Sequence, residues 1–122
     1  MNFKRFIQSF RDAAKGIRYT FSRGQNFRVQ IAVGTVIVIS MFFLSLSRYE
    51  VIILCLMITL VLLLELLNTA VEKMLDLLKP RMSLHVETVK HVMAATVLLA
   101  SCAAVIIGAV ILLPPVIELF GF

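Results

Sequence analysis

Five polar residues recur at helical spacing at the end of an apolar run: Glu65, Asn68, Thr69, Glu72 and Asp76. At 100° per residue, Asn68 lies roughly 60° from Glu65, and Glu72 and Asp76 lie roughly 20° to either side of it. They share one helix face. Glu65 directly follows fourteen residues, 51–64, that are apolar apart from Thr59. A carboxylate inside a membrane span is costly to bury, so it faces a partner, a cavity or a functional site. The plainer reading is adhesion, with Glu65 and Asn68 hydrogen-bonding to neighbouring helices. Two or three acids on one stripe exceed what adhesion requires.

A carboxylate at the membrane edge can take a proton from a hydroxyl that a lipid presents at that depth. A second acid nearer water, Glu72, suits Mg²⁺, which takes oxygen ligands and keeps part of its shell for phosphates. Lys90, the charged residue entering the last apolar stretch, supplies a phosphate contact. The set outlines phosphoryl transfer to a lipid alcohol. Periodicity alone fits a proton-conducting or ion-binding site equally well. His85 and His91 are six apart with Glu87 between them, which is no metal-binding pattern. Cys55 and Cys102 stand in apolar runs without a CxxC or zinc-type spacing. They read as small buried hydrophobes.

The elements that must carry these residues follow from hydrophobic spacing. Phe3, Ile7, Phe10, Ala14, Ile17 and Phe21 recur at three- and four-residue steps, with basic residues around the rest. This makes residues 1–23 an amphipathic helix, lying in the membrane interface or packed on its own protein. A secretory signal would instead have one apolar run and a small-residue cleavage site. Ser22-Arg23-Gly24 marks a turn. Three stretches of transmembrane character follow, at about 29–47, 51–78 and 92–117, the shortest of them close to the roughly 20 residues a bilayer crossing needs. Residues 48–50 are expected as a tight loop and 79–90 as a surface connection. Pro114-Pro115 is expected to close the last span. The expected fold is an all-α membrane protein: one domain over 1–122, an N-terminal amphipathic helix and three transmembrane helices.

Composition agrees. The chain has 122 residues, 61% hydrophobic and 16% charged, against about 45–50% and about 25% in soluble domains. A domain this small cannot hide that much apolar surface from water. A disordered tail, a nucleic-acid module and a disulfide scaffold are all excluded. Seven of twelve Lys and Arg precede the first span, and Lys73, Lys79, Arg81 and Lys90 flank the second-to-third connection. Only Arg48 falls on the other side. Because basic residues stay cytoplasmic, the N-terminus is expected in the cytoplasm and the C-terminus outside. The net charge of +5 suits anionic headgroups and phosphates.

The run Glu65-Leu66-Leu67-Asn68-Thr69-Ala70-Val71-Glu72-Lys73-Met74-Leu75-Asp76 resembles the signature of the bacterial integral-membrane diacylglycerol kinase and undecaprenol kinase family. It departs only at Leu75, where valine is usual. Lys15-Gly16, Asn26-Phe27-Arg28 and Ala94-Ala95 extend the resemblance over nearly the whole chain. The resemblance implies a homotrimer in the bacterial inner membrane, with sites shared between subunits at the cytoplasmic face. It implies Glu65 as general base, Glu72 as a ligand of Mg²⁺, Asn68 as a supporting residue, and Lys90 and Asp76 beside ATP. The family lacks a Walker loop, as this chain does.

Two positions depart from the family. Gly24, followed by Gln25, stands where the family has a second metal-binding glutamate, and His91 stands where an aspartate follows the lysine. Glu87, one turn before His91, is a candidate to fill part of the vacated space. Two readings therefore stand: an ATP-dependent kinase of diacylglycerol or undecaprenol with a rebuilt metal shell, or a catalytically degenerate member that binds lipid or a membrane partner. The aliphatic span ends do not choose the lipid. The small residues of the last span (Ala94, Ala95, Ala100, Ser101, Ala103, Ala104, Gly108, Ala109) suit close helix packing.

Overall fold

The computed structural model describes residues 2–78, 81 and 83–121. Within them lie four helices: α1 (Phe3–Arg23), α2 (Gln25–Met41), α3 (Arg48–Asp76) and α4 (Ser83–Leu119). α3 packs against α4 and α2, and α1 rests on α2 and α3.

α1 begins with Asn2, whose Oδ1 accepts from the Lys4 N–H at 3.0 Å, satisfying one of the first-turn donors that a helix leaves unpaired. It ends at Gly24, whose N–H donates to the Thr20 carbonyl at 2.8 Å. Gly24 is also the residue before α2, so the expected turn is a one-residue break. Arg28 Nη1 reaches back to donate to the carbonyls of Phe21 at 3.1 Å and Ser22 at 3.4 Å. A cation there suits the negative end of α1. Of α1 only Thr20 is buried. Phe3, Phe10, Ile17 and Phe21 of the apolar stripe stay exposed.

Tyr19 docks α1 onto α3. Its ring has the Arg23 guanidinium 5.3 Å and the Lys73 ammonium 5.6 Å from its centroid. These are cation–π contacts of the usual range.

Several boundaries differ from those expected. The stretch expected over 29–47 forms a 17-residue helix that starts at Gln25 and stops at Met41. Residues 48–50 are not a loop but the first turn of α3. The cause is a capping box: the Glu50 N–H donates to Ser47 Oγ at 3.2 Å and the Ser47 N–H to Glu50 Oε1 at 2.9 Å. Ser-x-x-Glu satisfies two orphan donors reciprocally and moves the connection to residues 42–47. The expected surface connection over 79–90 is also shorter. Residues from Ser83 to Lys90 are helical, while Lys79, Pro80 and Met82 lie outside the described residues. Val86, 1% exposed, anchors this start of α4.

Pro114-Pro115 does not close α4, which continues to Leu119. Proline's fixed φ is helical, and its cost is the missing N–H and a clash with the preceding turn. Beyond the pair the ladder resumes, with the Phe120 N–H donating to the Val116 carbonyl at 3.2 Å.

α3 and α4 are long and apolar enough to cross a membrane, each with a mean hydropathy of 2.7 over its best window, and little of either window is buried. Apolar side chains such as Leu56, Leu63, Leu98 and Val105 point outward. Cys55 and Cys102 are exposed as well, not buried as expected. A helix apolar all round has no inner face to which its small hydrophobes are confined. Outward-facing apolar helices of this length mark a membrane protein. α2 and α3 come close at Gly34, where a Cβ would lie 3.1 Å from Ile58 Cγ2.

Candidate functional site

A trough of about 1010 Å³ runs between α2, α3 and α4. Along most of its length the walls are aliphatic, from Leu54 and Val61 on α3 and from Val97 to Val116 on α4. Its polar lining is concentrated on two helices. α2 contributes Gln25, Asn26 and Gln30, and α3 contributes Glu65, Asn68 and Glu72. The period of α3 explains its half, because residues three, four and seven apart stack on one helix face.

Glu65 is 6% exposed and is the one buried acid among the described residues. Gln30 of α2 and Glu72 of α3 line the same trough as Glu65. One turn on, Thr69 Oγ1 donates to the Glu65 carbonyl at 3.0 Å, which keeps that hydroxyl off the carboxylate. Asn68 is half-buried and Glu72 exposed, so the polar stripe climbs from a buried acid to an open one.

Asp76 and Lys90 form a second group. The Lys90 ammonium lies 3.2 Å from Asp76 Oδ1, with the side chains 28% and 60% exposed respectively. This ion pair ties the end of α3 to the start of α4, and neither residue lines the trough. His91 and Glu87 are exposed on α4 and also stand outside the lining. Gly24 sits at the α1–α2 junction, where an added Cβ would lie 3.2 Å from the Thr20 carbonyl oxygen and 3.5 Å from Phe27 Cβ. The space for a side chain there is tight.

Residues 11–112 match the family model described as prokaryotic diacylglycerol kinase. The chain belongs to that family. It is 41% identical over 115 residues to a Synechocystis protein named diacylglycerol kinase, covering 93% of this chain and 65% of that relative's length. It is 34% identical over 110 residues to the Bacillus subtilis undecaprenol kinase, covering 90% of this chain and 89% of the relative. The two relatives carry the names of kinases for two different lipid alcohols.

Within this family member, the trough unites three of the residues singled out from the sequence, Glu65, Asn68 and Glu72, and the ion pair unites Asp76 with Lys90. Gln30 was not singled out as a site residue. A lone amide in a charge-free apolar stretch was the available signal, since intramembrane polar groups are seldom idle. Among the described residues no cluster of three or more His, Cys, Asp or Glu could hold a metal. The oxygens that share the trough with Glu72, from Gln25, Asn26 and Asn68, are hard donors of the type Mg²⁺ accepts. Mg²⁺ needs only one or two carboxylates when phosphates complete its shell. The donor set therefore fits a metal carried in with a nucleotide.

Proposed function

We propose that this chain is a membrane lipid kinase that transfers the γ-phosphate of ATP to the hydroxyl of a lipid alcohol, diacylglycerol or undecaprenol. The observation that carries the reading is a buried carboxylate, Glu65, at the polar end of an otherwise aliphatic trough. Aliphatic walls suit a lipid tail, and the acid stands where the tail's hydroxyl would arrive.

In this reading Glu65 is the general base. As the alcohol attacks, its O–H bond breaks and the proton passes to Glu65. The freed electron pair forms the new bond to the γ-phosphorus. The bond from that phosphorus to the ADP oxygen breaks, and its electron pair leaves with ADP. A general base at this step is worth roughly 10²–10⁴-fold in rate. Glu72 would hold Mg²⁺, with Asn68 beside it, and the ion supplies charge neutralisation for the phosphates. Lys90 would contact the nucleotide phosphates, with Asp76 holding its ammonium in place until ATP arrives.

The wider arrangement belongs to the same proposal. α2 joins α3 and α4 as a third, shorter span, α1 lies at the cytoplasmic interface, and three copies assemble with sites shared between neighbours. The polar end faces the cytoplasm, where ATP is found. Gly24 and His91 favour a second reading, a member that binds lipid without turnover.

The test is transfer of radiolabelled γ-phosphate by the purified protein in mixed micelles with Mg²⁺-ATP, with diacylglycerol and undecaprenol in parallel. Labelled lipid is expected, and the faster acceptor names the substrate. A folded protein that labels neither lipid supports the second reading.

A further inference from the structure

One flank of α1 meets the rest of the protein, and the opposite flank carries unneutralised charge. α1 rests on α2 and α3, and Thr20, 3% exposed, is its one buried residue. With Phe10 as the zero of the helical wheel, Thr20 lies at roughly −80°. Phe3, Phe6, Ile7, Ile17 and Phe21 fall within roughly 60° of Phe10, and all six are exposed. Lys4, Arg11, Lys15 and Arg18 form a row at roughly +80° to +140°, beside that apolar arc and away from Thr20. All four are exposed as well.

No acid neutralises the row. Asp12 is the only acid of α1. It lies at roughly −160° on the wheel and accepts from Gln8 Nε2 at 3.0 Å. None of the four basic side chains has an ion-pair partner among the described residues. From position 4 to position 18 the row runs about 21 Å at the helical rise, longer than a single phosphate group. A free nucleotide would meet part of the charge and leave the apolar arc beside it in water. A bilayer surface meets both features. The arc sinks to the acyl boundary, and the long Lys and Arg side chains on its flank reach the headgroup phosphates.

We propose that the flank formed by Lys4, Arg11, Lys15 and Arg18 binds bilayer lipids whose headgroups carry a net negative charge. A zwitterionic headgroup offsets its phosphate with its own cation, so the row selects headgroups that have none. The helix then has two partners at once: its own protein on the Thr20 flank, and anionic lipid on the other. This inference goes beyond the kinase reading, because the row lies outside the trough and no phosphate is transferred there. It takes from that reading only the placement of α1 along the bilayer, which the experiment reads separately.

The chain has no tryptophan, so Phe10→Trp places a single fluorophore at the centre of the apolar arc. The full chain with this substitution is reconstituted, without ATP, in phosphatidylcholine vesicles. The vesicles hold a minor fraction of either acyl-brominated phosphatidylglycerol or acyl-brominated phosphatidylcholine. Bromine quenches at short range, so the two quenching levels report which lipid stands beside α1. The brominated phosphatidylglycerol should quench more strongly. Arg11→Gln with Lys15→Gln should remove most of that preference, since each basic residue at an anionic surface is worth about fivefold in binding. Arg5→Gln with Arg23→Gln removes the same charge from roughly −140° on the wheel, off the row, and should keep the preference. Tyr19 retains its Lys73 contact in that control, and unfolding temperatures show that each variant folds. The proposal is overturned if phosphatidylglycerol quenches no better than phosphatidylcholine, if the folded row variant keeps the full preference, or if the control loses as much. Quenching by neither lipid would overturn the placement of α1 at the bilayer and the proposal with it, leaving phosphate transfer in the trough untouched.

Discussion

Lys90 and Asp76 offer a direct test of whether an ion pair is structural or functional. The pair is 3.2 Å long, with its acid more than half exposed. In that setting solvent screens the attraction and the two side chains lose entropy on pairing, so the pair contributes about 0–1 kcal/mol to stability. Asp76→Asn should therefore lower the unfolding temperature by no more than a few degrees, about 4–8 °C per kcal/mol for a domain near 100 residues. Lys90→Met removes the same pair. Its functional cost is different. If Lys90 binds the nucleotide phosphates, losing a hydrogen bond to a charged group costs about 1.5–3 kcal/mol, a rise in the KM for ATP of roughly 10–150-fold. Asp76→Asn leaves the ammonium in place and should change that KM by less than about fivefold, a single neutral hydrogen bond's worth. The assay is lipid phosphorylation at varied ATP, with thermal unfolding of the same preparations. An unchanged KM for ATP in Lys90→Met refutes the nucleotide role. A loss of more than about 2 kcal/mol in Asp76→Asn, beyond the range of exposed pairs, refutes the view that the pair is a minor structural contact.

Two further outcomes follow from the geometry. Ser47→Ala breaks the capping box that starts α3 and should destabilise the protein by about 0.5–2 kcal/mol, read from chemical or thermal unfolding in detergent, with transfer kinetics unchanged because the cap lies at the opposite end of α3 from Glu72. Gly24→Glu combined with His91→Asp introduces the two acids that the sequence resemblance implies at these positions, and should lower the Mg²⁺ concentration needed for half-maximal transfer. Gly24→Ala serves as its control, because the φ of −108° at Gly24 suits any residue. The 3.2 Å approach of a Cβ to the Thr20 carbonyl is then the whole steric cost, opposed by about 0.4–1 kcal/mol gained from a less flexible unfolded chain. No change in Mg²⁺ dependence in the double variant would mean that position 24 does not reach the metal in this chain.

The sequence made the helical run from Glu65 to Asp76 legible because acids at steps of seven and four residues can share only one kind of face, and the structure places Glu65, Asn68 and Glu72 on one wall. The helical period of the first element was legible for the same reason, and Phe3–Arg23 forms one helix. Boundaries were harder to read. Arg48 and Glu50 look like loop residues by charge, yet Ser47 and Glu50 together form a cap, a signal that lies in the pair and not in either residue. Pro114-Pro115 looks like a stop, yet helical φ allows α4 to pass through it. Gln30 escaped notice because it is uncharged, and its place in the lining of the trough shows only in the fold. The exposure of Cys55 and Cys102 was missed because a span surrounded by lipid has no rule that apolar means buried.

The central claim is that Glu65 takes the proton from the lipid hydroxyl. Its most direct test is single-turnover transfer of labelled γ-phosphate from Mg²⁺-ATP to lipid by the unsubstituted protein and by Glu65→Gln, compared at equal folding and equal occupancy by ATP. The account predicts a fall of roughly 10²–10⁴-fold in the rate of the chemical step, with ATP binding preserved. A Glu65→Gln variant that phosphorylates lipid at the unsubstituted rate would contradict it.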